Sequence, residues 1–348
     1  MTTIREIAAA CNVSIATVSN ILNGNGKRKA SERTQKLVLE KARELNYTPN
    51  LVAKNLRLQR TKTLGILIED MTVFHVPYVV DGITEYCENT GYGQTHVDLR
   101  LCSKLGNDYF RKKEFAQSVQ NAISELAAKQ VDGLLYITSH ERVLKCIPED
   151  LGIPAVMVYG YTHSSRYPSF VINDRKGACD AVTAAIKKGH RKIGVITGEK
   201  DSIHTRLRLE GYREALEDAA ISVREEYIVY GSWSREAGGR CAEILCGQGV
   251  TAIFCMSDVI AGGVYDYFHS HDICPGKDIS IVGYDDREFA SYLYPALTSI
   301  RMPLRELGMK ACQILINEIR ERKEEKMVRV YEANPLLIER DSVETVPE

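Results

Sequence analysis

From Leu64 onward the chain alternates between short, continuously apolar runs and longer amphipathic stretches, and this alternation constrains the fold more than any other feature. The runs are Leu64–Ile68 (LGILI), Gly133–Ile137 (GLLYI), Ala155–Val158, Phe170–Ile172, Ile193–Thr197 (IGVIT), Ala252–Met256 (AIFCM) and Ile281–Tyr284. Between them lie helical patterns, among them Lys113–Gln130, Lys176–Lys188, Arg206–Ala219, Arg235–Cys246, Val259–Ser270 and Leu304–Arg322. A strand that is apolar on both faces needs cover on both faces, and helices between strands supply it, so the pattern predicts parallel sheets in an α/β fold. There are too many strands for one small sheet, which predicts two doubly wound subdomains. Ligands of open α/β sheets bind outside the carboxyl ends of the strands. That rule points to Glu69–Tyr78, Tyr159–His163, Gly198–Arg208, Ser257-Asp258 and Asp285-Asp286.

The first 48 residues have a different texture and contain no proline. Ile4, Ile7 and Ala8 fall on one face of a short helix. Asn12, which tolerates a left-handed backbone, can end that helix, and Ser14 can cap a second. Val18, Ile21 and Leu22 then turn inward. Ile15, Ala16, Thr17, Ser19 and Asn20 are left outward, with no Lys or Glu between Ser14 and Asn23. An outer face of short neutral side chains fits a major groove, where such groups reach base edges and phosphates. A small helical hairpin packed on a larger domain is the competing reading. Ser31–Leu45 reads as a third helix, capped by Ser31 and packed through Val38, Ala42 and Leu45. Charge supports the first reading: residues 1–60 carry a net +7, and the other 288 carry −8. A basic head on an acidic body is a local footprint for phosphate.

Residues 24–30 (GNGKRKA) form a basic loop, and 49–63 (PNLVAKNLRLQRTKT) a linker. Within the linker, Leu51, Val52, Ala53 and Leu56 alternate with Lys54 and Arg57 over about two turns, a length marginal in water. Two readings stay open on these residues alone: a segment that inserts an apolar wedge into a minor groove, and a linker helix packed on the body. The ten cysteines form no CxxC pair and no zinc-spaced cluster, so they read as small buried hydrophobes in a reducing compartment. No signal segment or membrane-length apolar run occurs, which predicts a cytoplasmic protein with no membrane partner. GxSxG, HExxH and the Walker phosphate loop are all missing, so neither an enzyme, a metal site nor a cofactor is expected. His269 and His271 lie two apart at a helix end, where they do not share a face. Trp233, the single tryptophan, sits in a loop where it can stack on a ligand or belong to the core. Arg208 and Asp285, each at the ligand-binding end of an α/β element, make a fair hydrogen-bonding pair for a polar ligand.

The run TIREIAAACNVSIATVSNILNG, followed by SERTQKLVLEKARELNYTPN and LVAKNLRLQRTKTLGILI, resembles the lactose/purine repressor family of bacterial transcription regulators. The likeness continues through VDGLLYI, INDRKG, KGHRKIGVITG, TRLRLEGY, SDVIAGG, DISIVGYDD, PALTSIRMP and LLIERDS. The resemblance implies a helix-turn-helix DNA-binding domain (1–48), a hinge (49–62), and a core like periplasmic sugar-binding proteins. The core's first subdomain is expected at 63–163 and 299–327, and its second at 164–298 and 328–348. Three strand crossovers would join them, with a small effector between. Ile15, Ala16 and Asn20 would read bases, with Thr17, Ser19 and Asn23 contacting phosphates or supporting the readers. Ala53, Lys54, Leu56 and Arg57 would form the minor-groove hinge, Leu56 being the wedge. Arg208, Asp285, Trp233, Ser257 and Asp258 fall on effector positions, and His75 and Tyr159 on the effector wall.

Several departures from the family pattern bear on the ligand. The segment after the first core strand is EDMTVFHVPY, without the usual Asn-Pro-aromatic. Tyr159 stands where many members carry Asp. The ending SVETVPE has no leucine heptad, so a homodimer on a pseudo-palindromic operator is expected rather than a tetramer. A sugar or nucleoside-like effector fits a cleft with Arg, Asp and Trp. The rivals are a solute-binding protein without regulatory role and an α/β enzyme with a DNA-binding appendage.

Overall fold

The computed structural model describes residues 2–22, 30–47, 60–162, 166–321 and 330–346. Asn23, the basic residues 27–29 and the hinge residues Ala53, Lys54, Leu56 and Arg57 lie outside the described residues. The chain divides into two compact units, Met1–Thr61 and Lys62–Glu348.

The first unit holds helices α1 (Ile4–Cys11), α2 (Ile15–Leu22) and α3 (Glu32–Glu44). Local chemistry sets each boundary. The Thr3 hydroxyl accepts from the Glu6 amide at 3.3 Å while the Glu6 carboxylate accepts from the Thr3 amide at 2.9 Å, a reciprocal cap. Asn12 ends α1 in the left-handed region at φ 50°. The Ser14 hydroxyl accepts from the Thr17 amide at 3.0 Å, and that of Ser31 from the Thr34 amide at 3.2 Å. Ile7, Ala8, Cys11, Val18, Ile21, Val38 and Ala42 form the small core, with Leu22 and Leu45 packed against it.

The second unit holds two sheets, each of six strands among the described residues. The strands are β1 (Thr63–Ile68), β2 (Gly93–Asp98), β3 (Gly133–Leu144), β4 (Ala155–Thr162), β5 (Ser169–Ile172), β6 (Ile193–Thr197), β7 (Ile228–Tyr230), β8 (Ala252–Cys255), β9 (Ser280–Asp285), β10 (Thr298–Arg301), β11 (Val330–Ala333) and β12 (Leu336–Ile338). The first sheet runs β11-β5-β4-β3-β1-β2 and the second β12-β10-β9-β8-β6-β7. All pairings are parallel except β10 with β12. The two doubly wound parallel subdomains expected from the alternation are therefore present.

Sheet membership moves the expected subdomain boundaries. Ser169–Ile172 and Val330–Ala333 belong to the first sheet, and Thr298–Arg301 to the second. The chain thus crosses after Ile172, Arg301 and Ala333 rather than at 163, 298 and 327. Each of these strands joins its sheet before the chain crosses to the other, and strands this short carry too little pattern to announce which sheet they join. The cysteine expectation also changes. Six of the ten are buried, but Cys102, Cys179 and Cys246 are half-buried and Cys274 is exposed.

Strand β3 is longer than its apolar run. Its register against β4 shifts between Ile137 and Arg142. Thr138–Glu141 lies in that irregular stretch, at the carboxyl end of β1 and β4, where the ligand rule places a site.

Candidate DNA-reading face and ligand cleft

In the head, α2 buries Val18 and Ile21 and turns Ile15 and Ala16 to solvent, with Ile15 half exposed at 50 %. Ser19 and Asn20 are intermediate and line one shallow concavity with Ile15, Ala16, Thr3, Ile4 and Arg5. The Thr17 hydroxyl lies 2.8 Å from that of Ser14, so Thr17 braces the start of α2. The α1 edge from Thr3 to Arg5 is absent from the sequence reading. Its signal was the capping box itself, which puts an N-terminus and its free amides beside the reading helix.

The cleft of the second unit has a volume of about 200 Å³. The first sheet contributes Val73, Phe74 and His75 after β1, Ser139 and His140 from β3, and Tyr159 from β4. The second contributes His204 and Arg208 from the helix Ile203–Asp218, Trp233 after β7, Ser257 after β8, Asp285 at the end of β9 and Arg287 after it. Of the seven effector residues expected from sequence, six line this cavity. Asp258 does not. Its carboxylate accepts from the Ser299 hydroxyl at 2.6 Å and the Arg287 amide at 2.7 Å. As the first residue of the helix Asp258–Ser270, it turns away from the cavity and ties that helix to β10 and to the loop after β9. The Ser257 hydroxyl is also engaged, accepting from the Ile260 amide at 3.3 Å.

Arg208 and Asp285 face each other at 3.8 Å, but Arg208 is committed elsewhere. Its Nε donates to Asp174 at 2.7 Å, Nη1 donates to the Met256 carbonyl, and the guanidinium stacks 3.6 Å from the Tyr284 ring centre. Asp174 also pairs with His204 at 2.6 Å. Burial alone would raise the Asp174 carboxyl, but Arg208 and His204 hold it well below the usual carboxylate range. The same pairing raises His204, against burial. Burial raises Asp285 and Asp258, Arg208 and Arg287 restraining the first. His75 is the opposite case from His204. Its Nε2 lies 3.1 Å from the Thr138 carbonyl and its ring stacks on Tyr159 at 4.2 Å. Burial pushes its pKa down to about 3, so it is a neutral wall.

The aromatic lining is fixed from behind. A Cβ on Gly198 would stand 2.1 Å from the Trp233 indole, so only glycine lets that ring lie flat at the end of β6. Tyr159 and Asp285 both adopt left-handed backbone, at φ 62° and 109°. Strain of this kind persists only where the surroundings over-determine it, and it collects at ligand clamps. Two polar atoms of the wall, His140 Nε2 and Arg287 Nε, are buried with no hydrogen-bond partner among the described residues. They are groups a polar ligand can satisfy. Sequence reasoning had His204 inside the Gly198–Arg208 segment without singling it out, and missed Asp174, His140 and Arg287. Among the described residues, one group has metal-ligand geometry: Glu141, Asp174 and His204 each offer an atom within 4.8 Å of the others.

A family model described as bacterial regulatory proteins, lacI family, matches residues 3–50, and one described as periplasmic binding protein-like domain matches residues 182–343. The chain is similar to the HTH-type transcriptional repressor PurR of Vibrio atlanticus, 33 % identical over 350 residues, covering 99 % of this chain and 100 % of that one. It is also similar to the ribose operon repressor of Haemophilus influenzae, 33 % identical over 345 residues with 99 % of each covered. Among solved structures, the lac repressor dimer bound to operator and the anti-inducer ONPF superposes with a TM-score of 0.75 at 23 % identity, over 99 % of both chains. The regulator CelR in complex with cellobiose gives 0.66 at 24 %, over 98 % of this chain and 100 % of that one.

Proposed function

The chain belongs to the lacI family of bacterial regulatory proteins, DNA-binding repressors with an effector-binding core, and on that premise we propose how its two candidate sites are used. Ile15, Ala16 and Asn20 read base edges in a pseudo-palindromic operator, the two apolar side chains meeting thymine methyls. Ser19, with Arg5 and the α1 amides, holds phosphate, and Thr17 supports the helix. By resemblance, Asn23 adds a contact beside them, and Ala53, Lys54, Leu56 and Arg57 meet the minor groove. The protein works as a homodimer in the cytoplasm. No helix among the described residues is long and apolar enough to cross a membrane.

The effector is a sugar or nucleoside-like molecule held between the two subdomains. The observation that carries this reading is the meeting of Asp285, Arg208 and Trp233 from the second subdomain with His75 and Tyr159 from the first in one cavity. A molecule contacting both sides favours one angle between them and shifts the population of operator-binding dimers by its differential affinity. Thermal melting of the full chain against sugars, sugar phosphates and nucleosides tests this, each hit then being added to a binding assay on operator DNA. The expected result is a ligand that raises the melting temperature, changes operator affinity, is recovered unchanged, and loses both effects in Arg208→Lys. A ligand that is turned over supports the enzyme rival. Stabilisation without any change in DNA binding supports the solute-binding rival.

A further inference from the structure

We propose that Glu141, Asp174 and His204 form a divalent-cation site that joins the two subdomains beside the cleft. The three residues come from separate elements: Glu141 from the irregular part of β3, Asp174 from the first turn of the helix Asp174–Lys187, and His204 from the first turn of the helix Ile203–Asp218. One ligand atom of each lies within 4.8 Å of the other two. A small inward movement brings such a set to the roughly 2.0–2.3 Å bonds of a first-row cation.

A second observation points the same way. Glu141 is 5 % exposed. One of its oxygens accepts from the Tyr161 hydroxyl, while Oε2 is buried with no hydrogen-bond partner among the described residues. A buried carboxylate oxygen without a donor is costly, and native structures satisfy it with a proton, a water or an ion. Two carboxylates and one imidazole are a mixed oxygen and nitrogen donor set of the kind that takes Mn²⁺, Co²⁺ or Zn²⁺.

Charge is consistent with the cation. His204 faces Asp174, Glu141, Asp285, Arg208, His75 and His140. With His204 neutral, the carboxylates of Glu141, Asp174 and Asp285 outweigh the guanidinium groups of Arg208 and Arg287 by one, which leaves the cluster anionic toward a cation. The ion enters as His204 releases its imidazolium proton. Asp174 Oδ2, which accepts the hydrogen bond from His204 Nδ1, passes to the metal, while Oδ1 keeps Arg208. Binding therefore releases a proton and tightens as pH rises. Three protein ligands also leave coordination positions for water or a second ligand.

The test is a titration of the chelator-treated full chain with Mn²⁺ alone, free ion being read by electron paramagnetic resonance. Mn²⁺ is chosen because it favours oxygen and imidazole over the ten thiols. The expected result is one ion per chain, a melting temperature raised by Mn²⁺, and affinity at least about tenfold lower in both Glu141→Gln and His204→Gln. Both variants are checked for an unchanged far-ultraviolet spectrum. Absence of saturable binding up to about 1 mM, a range that still covers weak cation sites, overturns the proposal. So does binding that is the same in wild type and both well-folded variants, because it would then lie on surface carboxylates. Neither DNA nor effector enters the assay, so its failure leaves the regulatory reading intact.

Discussion

The reading helix of the head and the wall of the cleft both offer side chains to a ligand, yet they are built on opposite principles. In α2 the ligand-facing residues are neutral, Ile15 and Ala16 exposed and Ser19 and Asn20 half-buried, and the seven buried side chains beneath them are independent of that face. In the cleft the groups beside the ligand are buried and ionised, and they neutralise one another: Arg208 on Asp174, His204 on Asp174, Arg287 near Asp285 at 3.7 Å. Specificity can therefore change in the head with little effect on folding. In the cleft, recognition and stability rest on the same atoms.

The sharpest way to break this contrast is Asp174→Ala. Removing one partner of a buried ionic cluster leaves Arg208 and His204 uncompensated, so the second unit should lose about 3–5 kcal/mol. Chemical denaturation measures this. A loss under about 1 kcal/mol, the value of a surface pair, would mean that the cluster is not coupled to folding. Acidification comes next. His75 is neutral when folded, with its pKa near 3, whereas an unfolded histidine protonates near pH 6.5. Below about 6.5 the unfolded state binds a proton that the folded state does not. Stability should then fall by about 1.4 kcal/mol per pH unit down toward 3 from this group. His204, raised when folded, gives its full contribution throughout that window, so it adds no slope there. The carboxyls of Asp285 and Asp258, raised by burial, act in the opposite sense over the same window, so His75→Gln should gain stability relative to wild type steadily from pH 6 to pH 4, and an unchanged slope would remove His75 from the account.

On the head, Asn20→Ala should weaken operator binding by about 1–3 kcal/mol, the value of a good base contact, while head stability stays within about 0.5 kcal/mol. Equal losses in both would erase the distinction between the two sites. The smallest expected effect is Thr3→Ala, about 1 kcal/mol of head stability through the lost reciprocal cap. Urea titration followed by circular dichroism of the head measures it.

What was legible in the sequence follows the same division. Asn12, Ser14 and Ser31 announced their helix ends because caps act within three or four residues. The apolar strands announced the sheets because continuous burial needs a continuous pattern. Asp258 was read into the wall because it follows Ser257 at a strand end, but one residue into a helix the side chain has already rotated away. Asp174 and His204 are 30 residues apart, and Glu141 is another 33 upstream. No local spacing encodes a cluster assembled across a crossover of the chain. Arg208 and Asp285 stood out as a pair only weakly on their own, and the family resemblance gave them their roles.

The strand order has a consequence in time. The first sheet starts at residue 63 and receives its edge strand β11 only at residue 330, and β12 adds the edge of the second sheet a few residues later. At synthesis rates of about 5–20 residues per second, roughly 15 to 50 s separate those events. Through that interval the head, a compact unit of its own, can be complete while both sheets still have bare edges. A chain released late therefore carries a folded head on a core whose two sheets still lack their last edge strands.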